Sequence, residues 1–170
     1  MIERLTKKNV SRLFWRISDI SEEAKTHIVS CCKDIGCEMK NGPGITKCIK
    51  INTESFWIQH QKDGKVTDYL VFCVYSNRRK ITIVEMKNRR PDIKDIVEKF
   101  QCVCSEIREF IDTNQLSDFD FYPVILSKSM PPEEARQLRS APKITLGNKS
   151  EKIISEHCGD SMDYIFNKYC

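Results

Sequence analysis

Asp68-Tyr-Leu-Val-Phe-Cys-Val-Tyr75, then Ser76-Asn77-Arg78-Arg79, then Lys80-Ile-Thr-Ile-Val-Glu-Met-Lys87, is the stretch that decides how this chain folds. Two runs rich in branched and aromatic residues flank a short polar break, a pattern that predicts two adjacent strands. Paired as an antiparallel hairpin, the start of the first strand lies beside the end of the second. Asp68 and Glu85 then meet at one end of the sheet. Glu85 and Lys87 are two residues apart and project from the same face.

Downstream, Pro91 opens a long helix in which Ile93, Ile96, Val97, Phe100, Val103, Cys104, Ile107, Phe110 and Ile111 form an apolar stripe. Asp118–Phe121 leads to a strand over Tyr122–Ser127. Pro131-Pro132-Glu133-Glu134 starts a short basic helix ending near Ser140, Lys143–Leu146 reads as a strand, and 150–169 reads as helix. Upstream, Thr6–Gly36 reads as helical, with Ser21-Glu22-Glu23-Ala24 as a cap followed by acids, and Ala24, Ile28, Cys31 and Ile35 at helical spacing. Asn41-Gly42-Pro43-Gly44 breaks the chain. Ile45–Ile51 and Phe56–His60 alternate as strands do, and Lys62-Asp63-Gly64-Lys65 has the turn chemistry of a hairpin. Helices and strands mix without regular alternation, which predicts an α/β fold with a mixed central sheet flanked by helices.

The 170 residues fit one domain, 1–170, with a core over about 20–128 and a C-terminal extension over 129–170. A hydrophobic fraction of 40% with 31% charged residues excludes a disordered chain. No apolar run approaches the roughly 18–20 residues of a membrane span. The start, Met1-Ile-Glu-Arg-Leu-Thr-Lys-Lys, lacks the apolar core of a secretion signal, so a cytoplasmic protein with no membrane partner is expected. The net charge of +4 permits a polyanionic partner without demanding one.

Nine cysteines, at positions 31, 32, 37, 48, 73, 102, 104, 158 and 170, make an odd count. Together with the expected compartment, that count predicts reduced thiols serving as small buried apolar residues. His27, Cys31, Cys32 and Cys37 come nearest to a zinc set, but no second pair at ligand spacing completes it.

Two carboxylates converging at a sheet end supply hard oxygen ligands for Mg²⁺ or Mn²⁺. A lysine beside them can hold a water and stabilise charge developing on a phosphate, a layout suited to phosphodiester hydrolysis. Glu-x-Lys occurs three times, at Glu23-Ala24-Lys25, Glu38-Met39-Lys40 and Glu85-Met86-Lys87. Only the last has an apolar strand before it, an aspartate at the start of the preceding strand and a helix after it. Basic residues gather in short groups at Arg78-Arg79-Lys80, at Arg89-Arg90 with Lys94, and at Arg136, Arg139 and Lys143. Arg89, Arg90 and Lys94 follow the acidic pair closely enough to clamp a phosphate backbone. Trp15 and Trp57 are isolated and expected in the core. No Walker loop and no Ser-His-Asp or Cys-His motif is present.

Asp68 before an apolar strand, Ile83-Val84-Glu85-Met86-Lys87 at the end of the next, and a following helix bearing Gln101 resemble the PD-(D/E)xK nuclease superfamily over about residues 20–128. The label proline is absent, since Thr67 precedes Asp68. The resemblance implies a restriction-endonuclease-like core of helix, mixed sheet and second helix. It makes Asp68 and Glu85 metal ligands, the Met86 carbonyl a third, Lys87 the catalytic lysine and Gln101 a further residue lining the site. It also implies an acid from the first helix, for which Glu22 and Glu23 are both open.

The function expected on these grounds is metal-dependent hydrolysis of phosphodiester bonds, with DNA ahead of RNA, in a defence or repair setting. A homodimer remains open. The alternative is a catalytically inactive nuclease-fold subunit that binds nucleic acid or a protein partner.

Overall fold

A computed structural model describes residues 28–34, 36–111 and 116–169. Its elements, in chain order, are β1 (Ile28–Val29), β2 (Cys32–Asp34), β3 (Cys37–Met39), β4 (Ile45–Asn52), α1 (Thr53–Gln59), β5 (Tyr69–Tyr75), β6 (Arg78–Lys87), α2 (Ile93–Phe110), β7 (Phe119–Ser127), α3 (Pro132–Ser140), β8 (Ile144–Leu146), β9 (Lys149–Glu151), β10 (Ile154–His157) and α4 (Met162–Tyr169). The expected α/β architecture is present. A mixed sheet runs in the order β1-β4-β5-β6-β7-β10. The strands from β1 to β6 pair antiparallel, and β6, β7 and β10 pair parallel.

The central hairpin forms as its residues dictate. Ser76 and Asn77 both adopt positive φ, 46° and 65°, and such a two-residue turn matches the twist of the strands it joins. Both faces of β5 and β6 are covered, so they read as continuous apolar runs rather than as alternating ones. Leu70, Phe72, Ile81 and Ile83 pack with Ile96, Phe100, Val103 and Ile107 of α2 on one face. Val71, Cys73, Val84 and Met86 pack with Met162, Ile165 and Phe166 of α4 on the other, where the β2–β3 hairpin adds Cys32, Cys37 and Met39. The crossover between parallel β6 and β7 is α2. Its N-cap is Asp92, whose side chain accepts from the Asp95 N–H at 3.2 Å, so Pro91 stands just before the helix rather than inside it.

Several expectations are corrected. Ile28–Val29 and Cys32–Asp34 form β1 and β2, not the end of a helix: the branched Ile28 and Val29 pair with Ile51 and Lys50 at the sheet edge. Gly36, at φ 71°, turns the next hairpin. The stretch expected as a strand at Phe56–His60 is α1. Asn52 caps it by accepting from the Ser55 N–H at 2.7 Å, and Phe56 and Trp57 reach the core while Ile58 is left exposed. Asp63-Gly64 therefore follows a helix rather than joining two strands. Lys149–Glu151 and Ile154–His157 are strands, and only 162–169 of that stretch are helical, because β10 finds a parallel partner in β7. Residues past 128 thus complete the sheet and add to the core on both its faces, Met162, Ile165 and Phe166 on one and Leu138, Ile144, Leu146 and Ile153 on the other.

The cysteines are corrected as well. Cys37 and Cys158 form a disulfide, with their Cα atoms 4.9 Å apart. It ties the β2–β3 hairpin to the loop before α4. Main-chain bonds from the Lys40 N–H to Asp160 O, the Gly159 N–H to Glu38 O and the Met162 N–H to Lys40 O reinforce that join. Cys32, Cys73 and Cys104 are buried free thiols, and burial raises the pKa of each. Among the described residues no helix is long and apolar enough to cross a membrane.

Candidate metal centre

The β5–β6 register pairs Tyr69 with Val84, and the Asp68 N–H donates to Val84 O at 3.1 Å. One step further along, Asp68 faces Glu85 directly across the ladder. Residues so placed hold their Cβ atoms roughly 5 Å apart. The Asp68 side chain completes the ladder by accepting from the Met86 N–H at 2.5 Å. Both acids project on the α2 side of the sheet, the face of Ile81 and Ile83.

Glu85 is wholly buried. Its Oε1 accepts from Lys87 Nζ at 2.6 Å and from Lys99 Nζ at 2.7 Å. Its Oε2 is buried without a hydrogen-bond partner. An ionised carboxylate at such a place is tolerable only when cations compensate it, and the two lysines do so. They are themselves part-exposed, 28% for the Lys87 side chain and 20% for Lys99, so each ammonium bridges the buried acid and solvent.

The electrostatics follow from this crowding. Burial is the largest cause pushing the Asp68 carboxyl up to about 6, and the charge of Glu85 adds to it. The Met86 N–H and the Lys99 charge pull the other way, while Asp34, exposed on β2, adds a smaller upward push. Burial by itself would lower the pKa of Lys87. The hydrogen bond and charge of Glu85, with the charge of Asp68, outweigh it and hold the ammonium above its ordinary value.

The structure therefore brings together Asp68, Glu85 and Lys87, with Met86 between the last two. It does not bring Gln101 to them. Gln101 is exposed and lies two residues past Lys99, roughly 200° around the helix from it. Lys99 is the residue that sequence reasoning missed. Its signal was present, because it stands three residues after Ile96 and four before Val103, on the border of the apolar stripe. Glu22 and Glu23 lie outside the described residues, as do His27 and Trp15.

Arg89 and Lys94 are exposed beside the site. Arg90 is exposed too, but its guanidinium is paired with the buried carboxylate of Glu134 on α3. At the opposite end of β6, the basic group Arg78-Arg79-Lys80 is engaged by acids. Arg78 and Lys80 meet Asp120 at 3.0 and 2.9 Å, and Arg79 meets Asp118 at 3.2 Å. A separate cleft of about 560 Å³ between β7, α3 and β10 is lined by Phe121, Met130, Leu138, Arg139 and Ile153, and does not include the acidic pair.

Do these residues suit a divalent cation? The hard oxygens of Asp68 and Glu85 suit Mg²⁺ or Mn²⁺, and the partnerless Glu85 Oε2 is a donor atom not otherwise used. Among the described residues no three His, Cys, Asp or Glu side chains are grouped to hold a metal, so the described side chains bring two carboxylates, Asp68 and Glu85, to the site. Ions of this kind commonly keep several waters. Compared with family models, with curated proteins and with solved structures, the chain matches none.

Proposed function

We propose that this chain is a metal-dependent nuclease with a restriction-endonuclease-like core, acting on phosphodiester bonds of nucleic acid, with DNA ahead of RNA. One observation carries the reading: Asp68 and Glu85 face each other at the end of the β5–β6 hairpin, and Glu85 Oε2 is buried with no partner. The order β4, β5, β6, α2, β7, with the acids at the start of β5 and the end of β6, supports it.

Mg²⁺ or Mn²⁺ held by Asp68, Glu85 and the Met86 carbonyl would supply Lewis acidity toward the phosphodiester and a more acidic water. The chain's own groups do the rest. Lys87, anchored on Glu85 and part-exposed, orients the attacking water and opposes negative charge as it grows on the phosphate. Arg89 and Lys94 hold the flanking backbone. The test is a Mg²⁺ and Mn²⁺ cleavage panel over double-stranded DNA, single-stranded DNA and RNA. Metal-dependent cleavage of at least one is expected, and no cleavage of any in either metal overturns the proposal.

A second reading, the inactive nucleic-acid-binding or partner-binding relative, draws on a different observation. The lysines already neutralise Glu85, so the cluster is electrostatically complete as a structural element. Salt-dependent nucleic-acid binding without cleavage in that panel would select it.

A further inference from the structure

The distribution of donors on Glu85 is lopsided. Both ammoniums, from Lys87 at 2.6 Å and Lys99 at 2.7 Å, sit on Oε1, while Oε2 is buried and unpartnered. Asp68 divides its oxygens in a similar way: Oδ2 takes the Met86 N–H, which leaves Oδ1. Neither lysine occupies the remaining oxygen of either acid.

Charge then limits how many cations fit. Two carboxylates and two ammoniums cancel. One divalent ion leaves a surplus of two positive charges, which suits the two negative charges a phosphodiester approaches as water adds to it. Two divalent ions would leave a surplus of four. Enzymes that hold a pair of metals do so about 3.5–4 Å apart. Among the described residues there is no third acid grouped with these two to hold a second ion. Asp34, the further acid whose charge reaches Asp68, is exposed on β2.

We infer, on the basis of the nuclease reading, that the centre takes a single divalent ion through Glu85 Oε2 and Asp68, and that the Lys99 ammonium is its built-in second cation. Lys99 is fixed on the long helix α2 and acts through Glu85 as a positioning residue. It keeps the Oε1 side of the carboxylate occupied, leaves Oε2 for the ion, and contributes positive charge where a second metal would otherwise be needed. Lys87, on the strand, shares Oε1 with Lys99 and is the more exposed of the two, so it is the ammonium that serves the water and the phosphate.

The experiment counts ions directly. Mn²⁺ is titrated into wild-type protein, Lys99→Gln and Lys99→Arg, and free Mn²⁺ is followed by electron paramagnetic resonance. Single-turnover cleavage in Mg²⁺ is measured on the same samples. The wild type should bind one Mn²⁺ per chain. Lys99→Gln removes a neighbouring positive charge, so it should bind Mn²⁺ on the order of tenfold more tightly. It should nevertheless cleave on the order of 10²-fold more slowly. A side chain that only supports the fold would loosen both together. Lys99→Arg keeps the charge and should bind Mn²⁺ as the wild type does. Lys99→Met gives the same comparison if Lys99→Gln does not fold. Two Mn²⁺ ions per wild-type chain, or no tightening in either neutral variant, would overturn the inference. One Mn²⁺ bound with the expected tightening, but no cleavage of any nucleic acid, would retain the single-ion centre and remove the nuclease reading.

Discussion

The Met86 N–H donates to Asp68 Oδ2 at 2.5 Å, so the aspartate that heads β5 also finishes the β5–β6 ladder. The side chain is structural and chemical at once, and the two roles separate under substitution. Asp68→Ala should abolish metal-dependent cleavage while the protein stays folded. Purified Asp68→Ala that cleaves at the wild-type rate would show that the site lies elsewhere.

The same residue predicts a pH dependence of stability. An unperturbed aspartate titrates near 3.8, whereas Asp68 in the folded chain is pushed up to about 6, first by burial and then by Glu85. The folded state therefore binds this proton more tightly than the unfolded chain. The stability it contributes is full below about pH 4 and is lost as pH rises through about 6. Asp68→Asn, which cannot ionise, should be more stable than wild type at pH 7 by up to about 3 kcal/mol. The gain should shrink toward zero near pH 4. Denaturant melts at both pH values read this, and a difference that does not change with pH contradicts it.

Lys87→Ala separates transition-state stabilisation from binding. Its ammonium strengthens its hold on the phosphate as charge develops, so the single-turnover rate in Mg²⁺ should fall on the order of 10²-fold. Affinity for nucleic acid in Ca²⁺ should change little. A loss of affinity in proportion to rate would make Lys87 a binding residue.

Arg89 and Arg90 are neighbours with opposite expected phenotypes. Arg89→Ala should weaken nucleic-acid binding and flatten its salt dependence by about one unit of slope, with the melting temperature unchanged. Arg90→Ala strands the buried Glu134 carboxylate without its guanidinium, so it should cost stability, on the order of 1–2 kcal/mol because the guanidinium itself is exposed. Paired melting curves and salt titrations of the two variants decide it. A stability loss confined to Arg89→Ala would reverse the assignment.

The disulfide predicts which thiols resist labelling. Alkylation of protein denatured without reductant should miss Cys37 and Cys158 and reach Cys32, Cys73 and Cys104. The bridge closes a sequence separation of 121 residues, and replacing Cys158 by Ser should cost about 2–4 kcal/mol of unfolding free energy. Complete alkylation before reduction would show that the bridge is absent.

What the sequence made legible was what neighbouring residues decide. The Asp68–Glu85 pairing follows from two adjacent strands and a short turn, so the register of the hairpin places both acids. The α2 stripe was legible because its apolar positions repeat over eighteen residues. Lys99 was not, because a lysine at the border of an apolar stripe has the look of an ordinary solvated residue, and Gln101, which the resemblance singles out, lies on a helix face turned away from the acids. The short segments failed for a common reason. Ile28-Val29, Phe56–Gln59 and Ile154–His157 are too brief for their own period to show, and each takes its form from a partner: β4, the Asn52 cap and core, and β7. The Cys37–Cys158 bridge joins residues that only the finished fold brings together.

The positive-φ pair Ser76–Asn77 has a kinetic consequence. A two-residue turn lets β5 and β6 zip from their junction, on a timescale of about 1–10 μs for such hairpins. Zipping ends at Asp68 and Glu85, so the acids face one another while the chain between them is still local. Lys99 arrives later, with the α2 crossover whose closure must precede β7. The acidic pair thus begins as a repulsive defect at the open end of a forming hairpin, and its compensating cation comes from the slower half of the fold. Refolding should accordingly speed up as pH drops toward the Asp68 titration, and Asp68→Asn should remove that acceleration. An equal pH response in both proteins by stopped-flow would place the assembly of the two acids after the rate-limiting step.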